Sequence, residues 1–345
     1  MPKIQMNIHA IALGASLAVS VISSAQAEET IENNNQQVTS EQAKKFLKTK
    51  RPVLLKFNYN ISTDYVDGIL EPDITQFFQL NPKRKSDKRL NLSSAGHLIA
   101  PLSERSLLHI AGIVDWFGYE EFDEYNSVTI GNETALYYKF NSDTVLKVSG
   151  FYSSDYFTNK KFEVPTHMSS SYGGRLSLNK NYQLSEGALL ISVGGTISRR
   201  TFEFATLSDQ DRYQGDIAFT YQPLALRQLS LFSRLRFGKV DAFNNPFLDN
   251  DFYGFEVGFN WILKPGLTVS LTGSYSDGNY NAPELTSLAL ALEEIKGTGL
   301  SGEISYDLNE RLNIYGRASL TDFDSNLPRN DFRQTIISIG ARSPF

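Results

Sequence analysis

Cysteine is absent from all 345 residues, which excludes disulfide scaffolds, thiolate metal sites and cysteine nucleophiles. Histidine is nearly absent too, with four in the chain. A strong excess of one charge is also missing: the formal net charge is −5, which argues against general nucleic-acid binding. Beyond residue 27 no stretch approaches the roughly 18 apolar residues that a membrane-spanning helix needs. What the chain has in quantity is aromatic residues, 12% of the total, with 17 Tyr and 23 Phe beside a negative mean hydropathy. That combination suits strands with one apolar and one polar face.

The first residues have the form of an export signal. Lys3 is followed by an apolar stretch from about Ile8 to Ile22, and Ala25-Gln26-Ala27 has the small-x-small form of a cleavage site. Residues 1–27 are therefore expected to be removed. Residues 28–50 form a polar periplasmic segment, and 51–345 are assigned to one domain. Within the polar segment Thr39 and Gln42 have capping-box spacing. Ala43, Phe46 and Leu47 fall on one face of a short helix that would either trail in the periplasm or dock on the domain or a partner.

From Pro52 the apolar period changes to two. Val53, Leu55, Phe57, Tyr59 and Ile61 alternate with polar neighbours, as do Tyr253, Phe255, Val257, Phe259, Trp261 and Leu263. Such runs recur about fourteen times, at a length that crosses a bilayer at a tilt. Short connections near Ser103, Ser142, Tyr182, Leu224, Pro265 and Glu310 alternate with longer polar ones, including 67–87 and 158–170. Aromatic residues gather at segment ends: Trp116, Phe117, Tyr119, Tyr156, Phe157, Phe202, Phe252 and Tyr253 at one, Tyr138, Phe140, Tyr221, Trp261 and Tyr306 at the other. The expected fold is all-β: a transmembrane antiparallel up-and-down barrel of about 14 strands in the outer membrane.

The chain closes on Phe345, with Ile339 and Ile337 on the same face, and this terminus resembles the C-terminal strand by which outer-membrane barrels are recognised for insertion. More narrowly, Arg329-Asn330-Asp331-Phe332-Arg333, Gly340-Ala341-Arg342 and the turn Tyr306-Asp307-Leu308-Asn309-Glu310-Arg311-Leu312 resemble the β-barrel porins found beside exopolysaccharide and surface-assembly genes. The resemblance covers the last forty or so residues. It implies an outer-membrane location, with lipid, lipopolysaccharide and the barrel-assembly machinery as partners, and it brings no catalytic residue.

Enzyme chemistry would need a histidine within reach of Ser or Asp. His167 falls in a proposed loop with no His-Ser motif around it, so no enzymatic activity, cofactor or metal is expected. His97 and His109 share the polar face with Asp115, and a hairpin centred on Ser103 would set the two rings opposite each other, as a metal or pH site would require. Lys83, Arg84, Lys85, Lys88 and Arg89 crowd the first long loop and Lys160 and Lys161 another, where they could meet lipopolysaccharide phosphates. Leu285, Leu288, Ala289 and Leu292 have helical spacing in an external loop. Gly173-Gly174 and Gly194-Gly195 imply close approach by aromatics or a bend.

Carried through the chain, the alternation places Lys56, Lys139, Lys147, Arg175, Arg200, Arg212, Arg234, Arg236, Arg317 and Arg342 inside. Asp115, Glu133, Asp155, Asp216, Glu256, Glu303 and Asp307 face them. The expected pore lining is Lys56, Lys139, Lys147, Arg175, Arg200, Arg234, Arg236, Glu256, Glu303 and Arg317, with Arg234 and Arg236 forming an unpaired cationic row. Two functions compete at this point. One is a pore or export conduit for anionic oligosaccharide or polysaccharide. The other is a non-conducting barrel that anchors a cell-envelope complex, with a periplasmic partner held through residues 28–50.

Overall fold

A computed structural model describes residues 53–70, 84–158, 166–203, 209–243, 249–280, 294–325 and 331–343. The signal segment, the 28–50 segment, Lys83, Lys160, Lys161, Leu285 to Leu292 and Phe345 lie outside them. Fourteen strands follow one another: β1 (Leu54–Leu70), β2 (Arg84–Pro101), β3 (Ser106–Tyr119), β4 (Ser127–Lys139), β5 (Thr144–Phe157), β6 (Thr166–Leu184) and β7 (Gly187–Phe202). β8 (Gln210–Pro223), β9 (Leu229–Ala242), β10 (Asn250–Lys264), β11 (Leu267–Tyr280), β12 (Glu294–Asn309), β13 (Leu312–Ser325) and β14 (Phe332–Arg342) complete the set. Each pairs antiparallel with its chain neighbours, and β14 returns to β1 to close the barrel. Closure leaves no free edge, the condition for strands in a membrane.

The alternation becomes two surfaces. Outward positions such as Phe57, Ile61, Ile130, Leu176, Val193, Val257, Leu300 and Ile339 are large, apolar and exposed, which in water would be an aggregation surface and in lipid is the stable state. Inward positions are polar or charged, among them Asn58, Asn60, Ser62 and Asp64 of β1. Tight turns hold one end. Lys264-Pro265-Gly266-Leu267 has Gly266 at φ +83°, the left-handed third position of a type II turn after proline. The wider connections all lie at the other end, which with an even strand count is the external side. At a strand spacing of about 4.8 Å and a tilt of ~40°, fourteen strands enclose a ring about 28 Å across between backbones.

The seam is the shortest ladder. β1 meets β14 from Asn60 opposite Arg342 to Asp67 opposite Thr335, whereas it meets β2 from Leu54 to Leu70. Below the seam Tyr59 and Ser343 exchange contacts: the Tyr59 amide donates to Ser343 Oγ (3.2 Å) and the Ser343 amide to the Tyr59 carbonyl (2.9 Å).

Strands run past the bilayer at the external end, and three sequence expectations change with them. The first long loop is shorter than expected, because β2 begins at Arg84. Lys85, Lys88 and Arg89 are strand residues, and Arg89 points inward onto Asp64 rather than outward to lipopolysaccharide. His167 lies in β6, not in a loop. Part of the expected aromatic belt is interior: Phe117, Phe202 and Phe252 face the lumen beneath Arg89, Arg200 and Arg212, whose guanidinium carbons stand 4.9, 4.9 and 4.7 Å from the ring centroids.

Candidate functional site in the barrel interior

The inner face has two unlike halves. Across β2, β3 and β4 most inward side chains are buried, with His97, Leu107, His109, Ala111 and Ala135 at 0% exposure. Near the tight-turn end Ile99, Leu107, Ala135, Tyr137 and Val145 form an apolar cluster, joined by Leu54. The wall from β8 to β13 is polar and open. Arg236 and Glu256 keep 29% and 27% of their side-chain surface, and Ser274 and Asn260 are exposed although they point inward.

All ten expected lining residues lie at inward positions of the register, but the structure ties most of them into pairs. Lys147 Nζ stands 2.8 Å from Glu133 Oε1, and Arg200 Nη2 is 3.0 Å from Asp155 Oδ2, which also accepts from Ser169 Oγ (2.8 Å). Arg175 Nε donates to Thr196 Oγ1 at 3.0 Å, and Arg317 Nε to Ser301 Oγ at 3.2 Å. Glu303 accepts from Arg342 Nη2 at 2.5 Å. Lys56 lies opposite His97, and Lys139 opposite Val145. The row of Arg234 and Arg236 is not unpaired. Arg236 is ion-paired with Glu256 (3.5 Å), and Arg234 sits directly across from that carboxylate in the β9–β10 register. Two arginines on alternate residues of one strand sit too close in like charge to stand without counterions, and the next strand supplies one.

The two histidines do meet, one inward step out of direct register. Their rings stack with centroids 5.3 Å apart and planes at 12°. Asn58 Nδ2 donates to His97 Nε2 (3.2 Å), so His97 Nδ1–H is left to donate to His109 Nε2 (3.1 Å). His109 Nδ1 is buried and without a partner. Asp115 does not join them. It lies three inward positions further along β3, opposite Ser93 and Thr129, and the described residues hold no group of three or more ligands for a metal. At Gly173 the close neighbours are the Ile197 carbonyl oxygen and the Phe151 ring, and at Gly194 the nearest is the Asp216 carboxylate. A β-carbon on Gly173 would collide with the Ile197 carbonyl oxygen and stand 2.8 Å from the Phe151 ring, so only glycine fits there.

Pairings that the sequence did not reveal include Arg89 with Asp64 (2.7 Å), and one contact set on the outer face. There His167 Nε2 lies 2.9 Å from Ser170 Oγ, and its Nδ1 is bonded to Glu203 Oε2. The signal that could have found it is the chain order His-Met-Ser-Ser at the mouth of β6, read with β7 as its neighbour.

A closed 14-strand antiparallel barrel, apolar outside and polar within, is an outer-membrane β-barrel, and the outer membrane is where it resides. No family model matches the chain, and no curated protein matches it. Among solved structures it is similar to the outer membrane channel DcaP of Acinetobacter baumannii, at 12% identity and a TM-score of 0.48 over 86% of this chain and 99% of that one. It is also similar to OccK2 of Pseudomonas aeruginosa, at 10% identity and a TM-score of 0.44 over 85% and 99% of the two chains. An anion-selective porin from Comamonas acidovorans matches at 10% identity and a TM-score of 0.42 over 85% and 100%. The class rests on the barrel geometry itself.

Proposed function

We propose that the protein is an outer-membrane pore or export conduit that prefers anions, acidic oligosaccharide or polysaccharide among them. The observation that carries this reading is the open, polar wall from β8 to β13. On it Arg212, Arg234, Arg236 and Arg317 equal Asp216, Glu256, Glu303 and Asp307 in number, and Arg342 on the adjoining β14 adds one more cation. Pairing lowers the field without erasing the donors. A guanidinium has five N–H groups, and one carboxylate engages at most two of them in a bidentate contact. Rows of hydroxyls on the same wall, Ser270, Thr272, Ser274 and Ser301, offer hydrogen bonds to a passing sugar.

Planar-bilayer recording across a salt gradient tests the reading. The wild type is expected to give a reversal potential on the anion side, and Arg234→Glu with Arg236→Glu to move it toward cations. Cation preference in the wild type, or no shift in the variant, would overturn anion selectivity. A folded barrel that passes no current would support the other function, an anchor for an envelope complex working through residues 28–50.

A further inference from the structure

The outer face carries an arrangement that conduction does not use. Ser170 is an outward residue of β6, since its neighbour Ser169 points inward to Arg200 and Asp155 while Tyr172, two residues on, is 45% exposed on the outside. The register between β5 and β6 slips between Asp155 and Tyr156, so Tyr156 pairs with His167 and Met168 is the extra residue. That bulge brings His167 onto the same outward face as Ser170. His167 Nε2 is 2.9 Å from Ser170 Oγ, and Nδ1–H is held by the Glu203 carboxylate at the end of β7. A carboxylate on Nδ1 fixes the tautomer that leaves Nε2 as the base toward the hydroxyl. On the other side of Ser170 Oγ stand Ser154 Oγ at 3.0 Å and the Tyr152 hydroxyl at 3.3 Å, themselves 2.6 Å apart. The two hydroxyls bond each other, which uses one of their protons and leaves the other to turn toward the point where an oxyanion would form.

We propose that Ser170, His167 and Glu203 form a serine-hydrolase site on the outside of the barrel, acting on acyl esters of outer-leaflet lipid. Depth argues for that substrate class. Ser170 is one outward position beyond the aromatic residues Tyr152 and Tyr172, which lie opposite each other in register. Two strand residues at this tilt rise about 5 Å, which places the hydroxyl at the layer where acyl chains join their headgroups. Arg199 shares the outer face of β7 across from Tyr172, bound to Asp211, and gives a neighbouring headgroup phosphate a cation.

The chemistry balances with water as co-reactant. Ser170 Oγ attacks the ester carbonyl carbon as its proton passes to His167 Nε2. The ester C–O bond then breaks, and His167 returns that proton to the leaving alkoxide. Water, deprotonated by His167, then adds to the acyl carbon; the Ser170 Oγ–acyl bond breaks, His167 returns the proton to Oγ, and the fatty acid leaves. Glu203 touches only the imidazole and is a positioning residue.

The test uses the full purified barrel and two lipid probes, phosphatidylethanolamine vesicles and purified lipopolysaccharide, with fatty-acid release read by mass spectrometry. A fluorophosphonate probe is expected to label Ser170, and one of the two lipids to lose acyl chains. Ser170→Ala should abolish both. His167→Ala should lower turnover about 10^3-fold or more, and Glu203→Gln should lower kcat about 10^2-fold or more with KM unchanged. Glu203→Asp should recover part of that loss. Heat-modifiable migration of each variant establishes that it is folded. Release from phosphatidylethanolamine alone or from lipopolysaccharide alone identifies the substrate. Wild-type barrel that leaves Ser170 unlabelled and frees no more fatty acid than Ser170→Ala overturns the proposal.

Discussion

Asp64 is 2% exposed, and its Oδ2 accepts from Arg89 Nε at 3.0 Å and Nη2 at 2.7 Å. Its Oδ1 takes Ser62 Oγ at 3.0 Å, and the Arg89 guanidinium lies on the Phe117 ring. A charge so enclosed is costly to expose without its counterion, more than the pair gains by being there. Asp64→Ala is therefore expected to lower barrel stability by about 3–5 kcal/mol, because it strands the arginine. Equilibrium urea unfolding in micelles measures this. Replacing both partners together should cost less than Asp64→Ala alone, as a double-mutant cycle would show.

At the scale of the strand, the lipid face gives a depth-dependent expectation. Val257 is the middle residue of β10 and is exposed outward. Val257→Arg should destabilise the barrel by about 2–4 kcal/mol, and the same change near a strand end by about 1 kcal/mol or less, read from unfolding midpoints in lipid vesicles. The same physics explains which strands were legible in the sequence. Where one face meets lipid and the other water, hydropathy alternates, and β10 can be read almost residue by residue. In the headgroup layer and beyond it both faces meet polar surroundings, so Arg84 to Arg89 and Thr166 to Ser171 carry no contrast and look like loop. Inward parity was readable for Arg234 and Glu256 for the same reason. Their pairing was not, because it depends on the register between β9 and β10. The outward set of His167, Ser170 and Glu203 was hidden twice over, by a strand end in the polar headgroup layer and by a bulge that shifts His167 by one residue.

For the molecule as a whole, the protein is expected in the outer-membrane fraction, migrating faster before boiling than after. Deletion of Phe345 should reduce the amount of assembled barrel in cells without creating a soluble form. The unequal halves of the interior add a further expectation. Ions should pass along β8 to β13 and avoid the packed wall. Lys147→Glu, beside Glu133 on the packed side, should leave ionic selectivity nearly unchanged, whereas the Arg234 and Arg236 reversals change it.

The seam between β1 and β14 sets the order in which the wall comes apart. Its strands are the two ends of the chain, so the ladder from Asn60 to Asp67 closes the longest loop in the molecule and is the last to form. Every other ladder joins strands that are neighbours in the chain. Under load the cylinder should therefore behave as a curtain with one fastening. In a hydrogen-exchange experiment the amides of Ile336 to Gly340 and their partners Ser62 to Val66 should lose protection first. A tether pulling on the two termini should undo this line before any hairpin yields, leaving a curved open sheet still held together by its tight turns.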